Sequence, residues 1–120
     1  MPNNTSESLD LLFAEIKEKS SGDPEKSYTA FLVKAGLKNI TKKVTEEAAE
    51  VCEAALGEDQ EQVILETADL FFHTLVLLAA KKIELKSVIE ELEKRRQTKD
   101  LSHKAIAKNK IKLGYEQQGN

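Results

Sequence analysis

Apolar residues recur along this chain at the three- and four-residue spacing of helices, and no stretch alternates apolar and polar as a half-buried strand would. Leu9, Leu12, Phe13 and Ile16 mark a first amphipathic helix of about three turns, with Ser6 placed to cap it ahead of Glu7. The segment SSGDPEKS, residues 20 to 27, gathers Ser, Gly, Asp and Pro and is a loop. A short helix over Tyr28 to Ala35 finds its natural stop at Gly36. A long helix follows from Leu37 to Leu56, ending at Gly57, with an apolar stripe through Ile40, Val44, Ala48, Val51 and Ala55.

Glu58 or Asp59 opens the next segment, which runs to Lys82 and is apolar on nearly every side: Val63, Ile64, Leu65, Leu70, Phe71, Phe72, Leu75, Val76, Leu77 and Leu78. A helix apolar all round is expected to be central and buried. A last amphipathic helix, Leu85 to Arg96, carries Leu85, Val88, Ile89 and Leu92. The fold class predicted is all-α, a four- to five-helix bundle with short connections. Residues 1–96 form the domain, and residues 97–120 form a tail with weak helical spacing at Ile106, Ile111 and Leu113.

Composition narrows the class without changing it. At 120 residues, 40% of them hydrophobic and 32% charged, the chain fits one helix-rich globular domain rather than a disordered segment. The single cysteine, Cys52, excludes an intrachain disulfide and lies beside the apolar stripe as small filler. No secretory signal is visible, and the longest apolar stretch, Leu70 to Ala80, is broken by His73 and Thr74 and falls short of a membrane span. The expectation is a cytoplasmic protein with no membrane contact.

The net charge of −3 conceals two halves of opposite sign. Residues 1 to 93 hold 10 Lys/Arg against 19 Asp/Glu, and residues 94 to 120 hold 8 against 2. The basic stretch, Lys94, Arg95, Arg96, Lys99, Lys104, Lys108, Lys110 and Lys112, has only Tyr115 to stack on a base. It reads as a solvated tail, and nucleic acid is not the expected partner.

The acidic residues carry the candidate chemistry. VTEEAAEV, residues 44 to 51, places Glu46, Glu47 and Glu50 within five positions. At about 100° per residue Glu47 falls roughly 60° from Val44, on the flank of the stripe, with Lys43 and Glu50 further round the same side. Downstream, in ETADLFFH, Glu66, Asp69 and His73 share one face of the most apolar helix. Carboxylates on such a helix are costly to ionise unless paired or bound to a cation, and no Lys or Arg occurs between Lys43 and Lys81. Folding back at Gly57 sets Glu50, seven residues before the turn, at the height of Glu66, nine after it.

Four or five carboxylates would then face one cleft. Oxygen-only ligands in that number suit Mg²⁺, with Mn²⁺ as the alternative, and not zinc. The plain alternative is a solvated acidic face for the first cluster and a hydrogen-bonded interior histidine for His73.

The same residues carry a resemblance. EExxE followed by ExxD, here Glu46, Glu47, Glu50, Glu66 and Asp69, resembles the signature of the all-α nucleoside triphosphate pyrophosphohydrolases, the MazG-like superfamily. With SYTAFLVKAGLKNITKKVTEEAAEV (27 to 51) and ETADLFFHTLVLLA (66 to 79), the string is similar to the phosphoribosyl-ATP pyrophosphatases of histidine biosynthesis, from Leu9 to Arg95.

The resemblance implies hydrolysis of 1-(5-phosphoribosyl)-ATP to 1-(5-phosphoribosyl)-AMP and pyrophosphate with Mg²⁺, by a homodimer or higher homo-oligomer. It makes Glu46, Glu47, Glu50, Glu66 and Asp69 the metal-binding carboxylates. Glu47 and Glu50, by position, are the candidates for general base. Lys34, Lys43, Ser27, Tyr28 and Thr29 are the candidate substrate contacts, although either lysine can equally be a solvated surface residue and Ser27 a helix cap. Two departures stand out: Thr45 where the pattern often has Gly, and Phe31 where it often has a basic residue. The alternatives are a house-cleaning nucleoside triphosphate pyrophosphatase, which would use the same carboxylates, and a non-enzymatic helical dimerisation module.

Overall fold

A computed structural model describes residues 4–102, which form five helices and no strand. Asn4, not Ser6, caps the first helix, its side-chain oxygen accepting from the Glu7 N–H at 2.7 Å. Helix α1 (Thr5–Ser20) is therefore longer than expected, about four turns, and buries Phe13 and Ile16. Ser27 caps α2 (Tyr28–Ala35) by accepting from the Ala30 N–H at 3.1 Å. Gly36 then links α2 to α3 (Leu37–Leu56) at φ 102°, a backbone angle that favours glycine over any residue with a Cβ.

Asp59 opens α4 (Gln60–Ala80), its carboxylate accepting from the N–H groups of Glu61 and Gln62. Helix α5 (Leu85–Thr98) is the last among the described residues. The all-α prediction holds.

The chain divides into two compact units, one ending at Leu85 and one beginning at Lys86. In the first, α3 and α4 pair along their lengths across the short turn after Leu56, and α1 and α2 pack on that pair. Phe13, Ile16, Leu32, Ile40, Leu75, Val76 and Leu85 make its core. The second unit contains α5 from Lys86 onward, laced by Lys86–Glu90, Glu91–Arg95 and Glu93–Arg96 ion pairs three or four residues apart. The division anticipated after residue 96 falls inside this helix. Lys104, Ile106, Lys108, Lys110, Ile111, Lys112, Leu113 and Tyr115 lie outside the described residues.

Helix α4 is not buried all round. Its enclosed residues, His73, Leu75 and Val76, lie in its C-terminal half. Ile64 is 61% exposed and Phe71 54%, with Leu65 and Ala68 exposed beside them. By length and composition α4 could cross a membrane. Glu66 and Asp69 near its middle, and its lateral packing on α3, fit a protein-packed helix instead. At about 100° per residue the exposed apolar stripe of Ile64, Ala68 and Phe71 faces away from Glu66 and Asp69.

Cys52 is exposed, not filler. The inward face of α3 runs through Ile40, Val44, Glu47, Ala48, Val51 and Ala54, which turns Cys52 and Ala55 outward.

Candidate metal centre

The rotation of α3 that exposes Ala55 carries Glu47 from the flank of the stripe to its centre. Glu47 is 5% exposed, the one buried carboxylate among the described residues. Across the helix pair, α4 presents Glu66 and, one turn later, Asp69. One carboxylate oxygen from each of Glu47, Glu66 and Asp69 lies within 4.8 Å of the other two. Two helices and one turn thus converge three acids at a single point.

Their hydrogen bonding is incomplete. Gln62, one turn before Glu66, donates from Nε2 to Glu66 Oε2 at 2.6 Å. Glu66 Oε1 is buried with no hydrogen-bond partner among the described residues. A buried carboxylate oxygen without a donor is costly, and a cation satisfies it. Three carboxylates with no thiolate or imidazole among them form a hard, all-oxygen donor set, which fits Mg²⁺ or Mn²⁺. The residues present therefore fit the implied metal.

Glu50 and Glu46 lie outside this trio and border different clefts. Glu50 is exposed and borders a small cleft with Glu53, Ala54, Gln62 and Glu66. The neighbouring Glu47 charge, and then that of Glu66, hold the Glu50 carboxyl above its ordinary range. Any hydrogen bond between Glu50 and Glu66 requires a proton on one of them, so an ionised pair leaves Oε1 of Glu66 without a donor. Glu46 pairs with Lys43, whose Nζ lies 3.4 Å from Glu46 Oε1 and 3.2 Å from Glu47 Oε2. Hydrogen bonding to Glu47 is the main reason Lys43 is held above its ordinary range.

On the Glu46 side a groove of about 210 Å³ opens between α2 and α3, lined by Tyr28, Phe31, Leu32, Ala35, Asn39, Lys42, Lys43 and Glu46. Tyr28 stacks on Phe31 and Phe72, with centroids 6.4 and 6.1 Å apart. Its hydroxyl lies 3.0 Å from His73 Nε2, and His73 Nδ1 donates to the Asp69 carbonyl at 2.7 Å. His73 is thus a hydrogen-bonded interior histidine and not a member of the carboxylate trio.

Of the expected substrate contacts, Tyr28 and Lys43 line the groove. Ser27 caps α2, Thr29 is buried, and Lys34 is exposed and outside the groove lining. Asn39, Lys42 and Gln62 were not singled out for the site from sequence. Gln62 was legible in principle, because Gln62 and Glu66 stand four apart on one helix. Lys42 and Asn39 carry no such mark, since their place depends on how α2 packs on α3.

Comparison with known proteins gives the family. A family model described as phosphoribosyl-ATP pyrophosphohydrolase matches residues 9–96. A protein of Geobacter metallireducens named phosphoribosyl-ATP pyrophosphatase is 41% identical over 103 residues, 86% of this chain and 94% of the relative. Relatives of the same name from Clostridium botulinum and Novosphingobium aromaticivorans are 44% identical over 94 residues and 43% over 103. These alignments cover 78% and 86% of this chain, and 86% and 96% of the respective relatives. With the family match spanning all of α2, α3 and α4, and with them the carboxylate trio and the groove beside it, this chain belongs to the phosphoribosyl-ATP pyrophosphohydrolase family.

Proposed function

We propose that this protein hydrolyses 1-(5-phosphoribosyl)-ATP to 1-(5-phosphoribosyl)-AMP and pyrophosphate, a step of histidine biosynthesis, with Mg²⁺ held by Glu47, Glu66 and Asp69. The observation that carries the reading is the convergence of these three acids around a buried, donorless oxygen of Glu66, next to a groove with basic and aromatic walls. Bound there, Mg²⁺ would offset the charge of the triphosphate and lower the pKa of a water it holds.

The chain's own residues divide the remaining work. The groove takes the nucleotide, with Tyr28 and Phe31 as its aromatic wall and Lys42 and Lys43 as cations for phosphate oxygens. Ser27, through its cap, and Thr29, through burial, fix the end of α2 that presents Tyr28, and Lys34 adds positive charge outside the groove. Glu50, exposed beside Glu66 and outside the trio, is free to take a proton from the attacking water. Glu47 is the second candidate base, although burial and its place in the trio suit it better as a ligand. Glu46 borders the groove and holds Lys43. Attack on one phosphorus of the α–β bridge breaks the anhydride and releases pyrophosphate.

A second copy of the chain completes the assembly in this reading. The apolar stripe of Ile64, Ala68 and Phe71 lies on the opposite side of α4 from the acids, so a homodimer, or a higher homo-oligomer, covers it without blocking the site. The nucleotide substrate is consistent with a cytoplasmic location.

Glu47→Gln and Asp69→Asn test the assignment. Each is expected to reduce Mg²⁺-dependent pyrophosphate release by at least about a hundredfold while the helical circular dichroism is retained. Activity within a few-fold of the unsubstituted protein would remove the metal centre from the account.

A further inference from the structure

Lys43 stands between the two halves of the site. Its ammonium reaches back to Glu46 and Glu47 at 3.4 and 3.2 Å, and the same side chain lines the groove. Glu47 is the buried member of the trio, so the lysine neutralises the acid that solvent reaches least. No other ion pair to Glu47, Glu66 or Asp69 occurs among the described residues, and the sequence has no further Lys or Arg before Lys81. The side chain is one-third exposed on a flexible four-carbon stem, free to point either way.

We propose that Lys43 is a built-in counter-ion of the metal centre, which competes with the divalent ion for Glu47 and, once displaced, turns into the groove to bind a substrate phosphate. A dication and an ammonium cannot share the Glu47 carboxylate without strong repulsion in a site partly shielded from water. Metal loading therefore loosens the hold on Lys43, and a phosphate oxygen within reach replaces the lost partner. Before loading, the lysine keeps three converging acids from repelling one another unchecked. The order that results is metal first and nucleotide phosphate second. The inference rests on the proposed metal centre but not on which nucleotide is hydrolysed.

The test is Mn²⁺ affinity of the nucleotide-free protein, read by paramagnetic resonance or calorimetry. Lys43→Met keeps the stem and removes the charge, and is expected to bind Mn²⁺ about tenfold more tightly than the unsubstituted chain. Lys43→Arg, which holds a carboxylate with a planar fork, is expected to bind no more tightly than the unsubstituted chain. In turnover, Lys43→Met should raise KM for the nucleotide by about tenfold or more, so that metal and substrate affinities move in opposite directions.

Unchanged or weaker Mn²⁺ binding by a folded Lys43→Met protein overturns the counter-ion role while leaving the metal centre intact. Failure of the unsubstituted protein to bind Mn²⁺ at all, or Mn²⁺ binding that survives Glu47→Gln unchanged, overturns both.

Discussion

The Tyr28 hydroxyl lies 3.0 Å from Nε2 of His73, and the other nitrogen of the same ring is fixed by the carbonyl of Asp69. The first turn of α2 is thereby tied to the helix that carries two of the three converging acids. Tyr28→Phe keeps both aromatic stacks and removes only the hydroxyl, leaving a nitrogen of the buried His73 ring unpartnered. The expected cost is about 1 kcal/mol, measured by urea denaturation, with an unchanged m-value.

Glu66→Gln should act with opposite sign in the absence and presence of metal. Without metal, the new amide nitrogen can occupy the place of the donorless Oε1 and donate toward the neighbouring acids, for a gain of about 1 kcal/mol. With Mg²⁺ present, the unsubstituted protein should be stabilised by ligand linkage and the variant much less so. Thermal melts of both proteins with and without chelator read the two signs directly.

The Glu50 carboxyl gives the metal-free protein a pH signature. Its folded-state pKa is raised, first by Glu47 and then by Glu66, so its proton is held more tightly folded than unfolded. Its contribution to stability is therefore fully present below the unfolded pKa and is lost as pH rises through the higher folded value. The melting temperature difference between the metal-free protein and its Glu50→Gln variant should widen in favour of the variant as pH rises above the ordinary glutamate range, about pH 4. A constant difference across that window contradicts the assigned repulsion.

Exposure on α4 makes an assembly prediction. Phe71→Glu places a charge on the stripe formed with Ile64 and Ala68, on the opposite side of α4 from Glu66 and Asp69. Light scattering should find a dimer or larger assembly for the unsubstituted protein and a lower mass for the variant. A variant of unchanged mass would move the interface elsewhere.

Much of this was legible in the sequence because helices write their period into apolar spacing. The five helices were anticipated, and α3 and the short α2 fell at their expected limits through Gly36, Ser27 and Gly57. The pairing of VTEEAAEV with ETADLFFH across the turn also came from residue counts alone. What escaped has a physical reason in each case. Reading apolar residues as the inside centred α3 on Val44 and Ala55, whereas the buried line passes through Glu47 itself. An inward carboxylate breaks the hydrophobic pattern it sits in. Helix α4 looked central because it is apolar on nearly every side, yet Ile64, Leu65, Ala68 and Phe71 are exposed. The groove depends on the packing of α2 against α3, a long-range fact that no local spacing encodes.

Hydrolysis of phosphoribosyl-ATP by this constellation is tested by a comparison of substrates. Pyrophosphate release should be followed with Mg²⁺ for 1-(5-phosphoribosyl)-ATP, ATP and the common deoxynucleoside triphosphates under identical conditions. The kcat/KM for phosphoribosyl-ATP should lie at least about a hundredfold above that of any of the others, with turnover abolished by chelator. Equal or greater efficiency on ordinary triphosphates would contradict that preference and leave a general triphosphate pyrophosphatase on the same carboxylates.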